Sequence, residues 1–231
     1  MENLYNSNGL IFWSEEEIHL REMFKTFFVS AISHNLFVQN SGFKVLQVEA
    51  PLITPKDLIN KNYTNEDIHS IQKINETDVE YVLRPETTMG TYKAIEYLLN
   101  THNDRKIKLP LCVWQHGKSF RREQDQATKF MRLKEFYQLE FQIAFSSTTA
   151  NDYSINLIPA VQQAIQSMIG PCRIEASDRL PDYSESTTDI VCEKSDMEVC
   201  SISKRKDFSL AKILEVAIGT DRCIYNFQNK S

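Results

Sequence analysis

The chain is 231 residues long, enough for one large domain and at most two, and its 42% hydrophobic and 25% charged residues exclude a largely disordered or fibrous protein. Twenty-six Lys and Arg against 31 Asp and Glu leave a formal charge of −5, which argues against a protein that coats nucleic acid electrostatically and leaves room only for a local basic patch. No apolar run approaches the ~18 residues of a membrane span or follows a basic start as in a signal peptide, so the expectation is a cytoplasmic protein without a membrane partner.

Ser14-Glu15-Glu16-Glu17 has the pattern of a capping box, and Leu20, Phe24, Phe27, Phe28 and Ala31 recur at helical spacing behind it. A helix of about 20 residues is predicted, its acidic first turn matched to the positive end of the helix dipole. Gly42 breaks the pattern, and Val45 through Ile53 reads as a strand whose Pro51 must face a sheet edge or an interface. Residues 55–79 are polar and carry no usable periodicity. A short strand at Glu80–Arg84 leads through Pro85 into a helix over Thr88–Asn100, and a polar connector covers 101–107. Leu111–Gln115 and Ser119–Glu123 read as strands, and beyond a polar loop at 124–130 Arg132–Phe145 reads as a longer one. Its alternation puts Tyr137, Leu139, Phe141 and Ile143 on one face, with Phe136, Gln138, Glu140 and Gln142 on the other. Asn151–Gly170 is an amphipathic helix, followed by strand-like stretches around Thr188–Val191 and Met197–Ser203 and a helix beginning near Gly219. With no repeat, low-complexity tract or linker, a single α+β domain over residues 1–231 is predicted, built around an antiparallel β-sheet flanked by helices.

The six glycines are so dispersed, no two closer than 27 residues, that neither G-x-G-x-x-G nor a P-loop can be built. Any nucleotide chemistry must therefore use side chains. Five cysteines, odd in number and without C-x-x-C, fit free thiols inside a cell, and with five scattered histidines they speak against zinc. In Phe120-Arg121-Arg122-Glu123, a strand would place Arg121 and Glu123 on one face, a cation for phosphate beside a carboxylate for an amine. Arg132 and Phe136 follow beyond the loop, so two arginines and a ring converging across a hairpin could hold an adenine and its phosphates. Taken alone, a charged hairpin facing water is the simpler reading.

This hairpin resembles motif 2 of the class II aminoacyl-tRNA synthetases, an F-R-x-E followed by a variable loop and an Arg or His ahead of a Phe. Glu49-Ala50-Pro51-Leu52-Ile53 after a long helix resembles motif 1, and Gly219-Thr220-Asp221-Arg222 after a strand resembles motif 3. Within the class the likeness is greatest to glycyl-tRNA synthetase, through Leu83-Arg84-Pro85-Glu86-Thr87, Gln115-x-Gly117-Lys118-x-Phe120-Arg121, Glu135-Phe136-x-Gln138-x-Glu140, Asp182-Tyr183-Ser184 and Arg205-x-Asp207-Phe208-x-Leu210. Together these motifs span most of residues 44–225.

The resemblance implies a class II catalytic core that joins ATP, with Mg²⁺, to a small amino acid, glycine first, and passes the acyl group to tRNA or another acceptor. It implies a homodimer joined through the motif 1 helix and strand. Arg121 would hold the α-phosphate, Arg222 the γ-phosphate and Arg132 a further phosphate oxygen, while Glu123 and Phe136 would hold adenine. Such chemistry needs charge neutralisation and in-line positioning rather than a protein nucleophile, which makes Arg121 and Arg222 the implied catalytic groups. Glu86, Gln138, Glu140 and Glu215 would line the amino-acid pocket, Arg205 would hold the substrate carboxylate, and Glu198 would serve ATP and Mg²⁺.

Without the resemblance, Glu86 is an acidic first-turn residue, Glu140 a solvent-facing residue of a one-sided sheet and Arg205 part of a wet basic turn. The chain also departs from the glycyl pattern. Glu215-Val216-Ala217 stands where those enzymes have Glu-Pro-Ser, Ser201 stands for a glycine and Lys204 for a polar amide, which opens the choice of amino acid. Nine residues follow Arg222, so the expectation is a core lacking the C-terminal anticodon-binding domain. The competing reading is a catalytically inactive paralogue serving as an accessory or regulatory nucleic-acid-binding subunit. The presence of all three motif arginines, Arg121, Arg132 and Arg222, favours the enzyme.

Overall fold

The computed structural model describes residues 9–71, 79–101, 107–122, 131–178 and 180–230, and the backbone of residues 6 and 7. A small hairpin, β1 (Asn6–Ser7) and β2 (Leu10–Ile11), precedes α1 (Glu15–Gln39). The capping box forms as expected, Ser14 N donating to Glu17 Oε2 at 2.7 Å and Glu17 N to Ser14 Oγ at 3.3 Å. The helix runs 25 residues because its buried stripe, Phe24, Phe28, Ile32 and Leu36, continues past Ala31 across the sheet. Phe27, expected on that stripe, is partly exposed instead.

The strand predicted over 45–53 divides in two: β3 (Lys44–Gln47) and β4 (Ile53–Pro55), with Pro51 in neither. Side chains claim the backbone between them, since Arg84 Nη1 donates to the Ala50 carbonyl at 2.7 Å and Ala50 N donates to Gln115 Oε1 at 3.3 Å. After a 3₁₀ turn at Lys56–Leu58 come β5 (His69–Ile71), β6 (Tyr81–Leu83) and α2 (Thr88–Asn100). β7 (Leu111–Phe120) is continuous where two strands were predicted. Gly117 sits inside it for a packing reason, because a β-carbon there would collide with the Arg84 guanidinium as it crosses to donate from Nε to Lys118 O at 2.8 Å.

The remaining elements are β8 (Glu135–Phe145), α3 (Ser154–Ile169), β9 (Cys172–Ala176), β10 (Ser184–Cys192), β11 (Met197–Arg205), β12 (Lys212–Gly219) and α4 (Thr220–Gln228). The long predicted strand thus starts at Glu135, leaving Arg132 on the loop ahead of it. Periodicity missed β12 because its central position buries both faces and yields a nearly continuous apolar run.

The main sheet has seven strands in the order β3-β7-β8-β12-β11-β10-β9. All neighbours are antiparallel except β3, which lies parallel to β7 at the edge, so the expected antiparallel sheet is in fact mixed. The chain leaves β3, builds the three-stranded sheet β4-β6-β5 and α2, and returns as β7, the long crossover that parallel pairing requires. α1, α3 and α4 cover one sheet face, where Leu139, Phe141 and Ile143 meet Phe28, Val161, Ile165 and Ile224. α2 covers one end of the other face, packing Tyr92 and Ile95 on Leu111, Val113 and Ala144. No described helix covers the rest of that face. Among the described residues no helix is long and apolar enough to cross a membrane.

Candidate active site

The uncovered part of the sheet is the floor of a cleft of about 290 Å³. β8 supplies Phe136, Gln138 and Glu140, β12 supplies Glu215 and Ala217, and β11 supplies Glu198 and Ser201. Glu86 and Arg121, from the segments flanking β6 and β7, form the wall, with Arg132 and Arg222 beside them. Nine of the eleven residues to which the resemblance gives site roles therefore meet in one place, drawn from segments as distant as Glu86 and Arg222. Glu123 lies outside the described residues.

One end of the cleft is cationic. Arg121 follows β7, and its backbone N donates to Lys134 O at 2.9 Å, closing the hairpin. Its Nε donates to Pro85 O at 3.1 Å and its Nη2 to Tyr63 Oη at 3.0 Å, with the guanidinium carbon 5.2 Å from the Phe136 ring centroid. Arg222, in the first turn of α4, donates from Nη1 to Glu198 O at 2.8 Å. The start of α4 is anchored from below. Asp221, buried at 2% exposure, accepts from Tyr137 N at 2.8 Å and pairs with Arg21 of α1 at 3.3 Å. Burial pushes the Asp221 carboxyl up to about 6, opposed by that Arg21 charge.

The other end is acidic. Glu86, Glu140 and Glu215 are all buried, Glu140 to 2% exposure, which corrects the reading of Glu140 as a solvent-facing residue. Glu140 Oε1 accepts from Thr88 Oγ1 and Gln142 Nε2, both at 2.7 Å, and Gln142 Nε2 also donates to Glu215 Oε2 at 2.6 Å. Burial, and then the like charge of Glu215, holds the Glu140 carboxyl above its ordinary value. Glu86 Oε2 accepts from Tyr63 Oη at 3.2 Å, whereas its buried Oε1 has no hydrogen-bond partner among the described residues. Burial pushes the Glu86 carboxyl up to about 7, with Glu140 and Glu215 adding to the rise and Arg205 and Arg121 opposing it.

Arg205 departs from the implied role. It does not line the cleft, and its fork is closed by two carboxylates: Nε and Nη2 donate to Asp207 at 3.1 and 2.6 Å, and Nη1 donates to Glu215 Oε2 at 3.1 Å. The guanidinium stacks 3.7 Å from the Tyr183 ring centroid and is 5% exposed, so the wet basic turn is equally excluded. In this structure Arg205 holds Glu215 from behind the cleft.

Residue-by-residue reading missed Tyr63, Thr88 and Asp207 as parts of this network. Gln142 was at least legible on the polar face of β8, by period two. Nothing in the unpatterned stretch around Tyr63 marked it, because its partners lie 23 and 58 residues away in the chain.

Residues 64–222 match the family profile of the tRNA synthetase class II core domain (G, H, P, S and T). The chain is 30% identical over 148 residues to the glycine–tRNA ligase of Mycoplasma capricolum subsp. capricolum, covering 60% of this chain and 32% of that protein. It is 30% identical over 149 residues to the glycine–tRNA ligase of Staphylococcus aureus strain JH9, covering 59% and 30%. A prolyl-tRNA synthetase from Cryptosporidium parvum, complexed with halofuginone and AMPPNP, superimposes with a TM-score of 0.76 at 15% identity, covering 96% of this chain and 48% of that one. The alignments span about a third of the curated relatives' length.

Proposed function

Because the chain belongs to the class II tRNA synthetase core family, we propose that its cleft activates a small amino acid with ATP, giving an aminoacyl-adenylate and pyrophosphate, as one catalytic domain over residues 1–231. The observation that carries this reading is the polarity of the cleft: arginines at one end and, at the other, a buried Glu86 oxygen that has no partner among the described residues. The substrate carboxylate oxygen bonds to the α-phosphorus as the bond to the pyrophosphate oxygen breaks. Arg121 neutralises the charge gathering on the α-phosphate, Arg132 and Arg222 receive the departing pyrophosphate, and Phe136 supplies an apolar face for adenine. Glu86, with Glu140 behind it, receives the ammonium group.

Mg²⁺ fits this donor set as a companion of ATP. Among the described residues no group of three or more His, Cys, Asp or Glu could hold a metal alone, but Glu198 and Asp189 both line the cleft. One or two carboxylates together with substrate phosphates are an ordinary Mg²⁺ environment, and there the ion would offset phosphate charge.

The floor supports a small substrate, glycine first and alanine or serine next. Ala217 pairs directly with Glu140 on one side and Ser201 on the other, so the hydroxyl absent at 217 is present one strand away. The expected result is glycine-dependent ATP–pyrophosphate exchange across an amino-acid panel. Its kcat/KM for the amino acid should fall on the acid side of about pH 7, because protonating Glu86 removes the charge that holds the ammonium. Preference for a large or charged amino acid would discard the pocket assignment, and exchange with none would favour an accessory paralogue. The acyl acceptor in this reading is tRNA.

We also propose a homodimer through α1. Met23, Phe27 and Val38 leave apolar surface on the helix side turned from the sheet, and Leu52 and Ile53 beside β4 are exposed as well. Light scattering at micromolar concentration should give twice the chain mass, and a single species at the monomer mass would overturn the dimer.

A further inference from the structure

Tyr63 joins the two ends of the cleft. Its hydroxyl accepts from Arg121 Nη2 at 3.0 Å and donates to Glu86 Oε2 at 3.2 Å. The turn that carries it is fastened down: Tyr63 N donates to Asn60 O at 3.1 Å, and Asp67 Oδ2 accepts from Thr64 N at 2.9 Å and Thr64 Oγ1 at 2.8 Å. Asp67 O in turn accepts from Arg122 N at 2.9 Å, tying the turn to the strand end that carries Arg121. The phenol is thus placed by its own loop.

Arg121 and Glu86 carry opposite charges with this one hydroxyl between them, in surroundings where a direct ion pair would be stronger than in water. Such a pair would consume the phosphate cation and the ammonium seat together. A phenol can accept from one and donate to the other while adding no charge. We propose that Tyr63 is a positioning residue, a neutral bridge that keeps Arg121 and Glu86 apart so that each remains available to its own substrate group. This rests on the roles read above for Arg121 and Glu86.

Tyr63→Phe keeps the ring and removes the bridge, so Arg121 and Glu86 should close on one another. Among the described residues six groups bear on the Glu86 carboxyl: Arg121, Arg205, Glu140, Glu215, Tyr63 and Tyr183. Only the first is expected to approach it in the variant. The direct readout is an NMR titration of glutamate labelled with ¹³C at the side-chain carboxyl, with the Glu86 signal assigned by its loss in Glu86→Gln. The wild-type midpoint should lie near 7, and Tyr63→Phe should lower it by about one unit or more, since an opposite charge in contact favours the carboxylate. An unchanged midpoint, or the rise that loss of a donor alone would cause, overturns the proposal.

Calorimetry with MgATP supplies the second arm. Tyr63→Phe should weaken binding about tenfold, and Tyr63→Phe/Glu86→Gln should restore it, because a neutral amide does not compete with phosphate for Arg121. Failure of that recovery also overturns the bridge. A wild-type chain that binds no ATP would defeat the activation reading, while the carboxyl titration would still decide the role of Tyr63.

Discussion

Arg121→Ala should lower the kcat/KM of ATP–pyrophosphate exchange by on the order of a hundredfold or more, the equivalent of about 2.7 kcal/mol. The guanidinium is held in its working position before any ligand arrives, by Pro85 O and Tyr63 Oη and by its approach to the Phe136 ring. In the proposed reading it would meet the α-phosphate without reorganising, which is the condition under which a fixed charge lowers a barrier most. A charge-assisted phosphate contact is worth about 1.5–3 kcal/mol in the ground state, so ATP affinity should fall too. Far-UV circular dichroism should stay as in the wild type, because the side chain is only half-buried at the cleft wall. Unchanged ATP affinity in both Arg121→Ala and Arg222→Ala would sink the nucleotide assignment.

Arg205→Ala should act on stability rather than on one substrate, costing about 3–5 kcal/mol in urea unfolding. Glu215 and Asp207 both close on this guanidinium, whose packing against Tyr183 leaves it 5% exposed. Truncation leaves the buried Glu215 carboxylate without its cation, and the cost of an uncompensated buried charge exceeds the worth of the pair it replaces. The sign of the pH effect follows from Glu86, for which Arg205 is the leading influence opposing the rise caused by burial. Without Arg205 the Glu86 carboxyl should titrate above 7, so the acid limb of amino-acid activation should move to higher pH in whatever fraction folds. Arg205→Lys should recover little, since an ammonium cannot fork to two carboxylates while stacking on Tyr183. A variant as stable as the wild type, with an unmoved acid limb, would show that the buried network has another cation.

Several features follow from neighbours along the chain and were legible without a structure. The Ser14–Glu17 capping box works across three residues, the two faces of β8 follow from strand pleating alone, and α4 starts one residue past the predicted Gly219. The motif arginines were picked out by their resemblance to class II motifs 2 and 3, while the six dispersed glycines established only that a nucleotide would have to be held by side chains. Tertiary structure decided the environment of each of these groups. Glu140 is a deep, hydrogen-bonded carboxylate rather than a wet one because Thr88, 52 residues earlier in the chain, reaches it from α2. Arg205 became the anchor of Glu215 because the turn after β11 brings Asp207 to its fork and the segment ahead of the neighbouring strand β10 brings Tyr183 to its face. The strand at 45–53 broke because Arg84 and Gln115 took the backbone groups of Ala50. Helix caps and strand faces are set by periodicities of two to four residues, so sequence alone determines them. Whether a carboxylate is neutral, paired or waiting for an ammonium depends on burial and on charges a few ångströms away in space, and those are supplied by segments that only folding brings together.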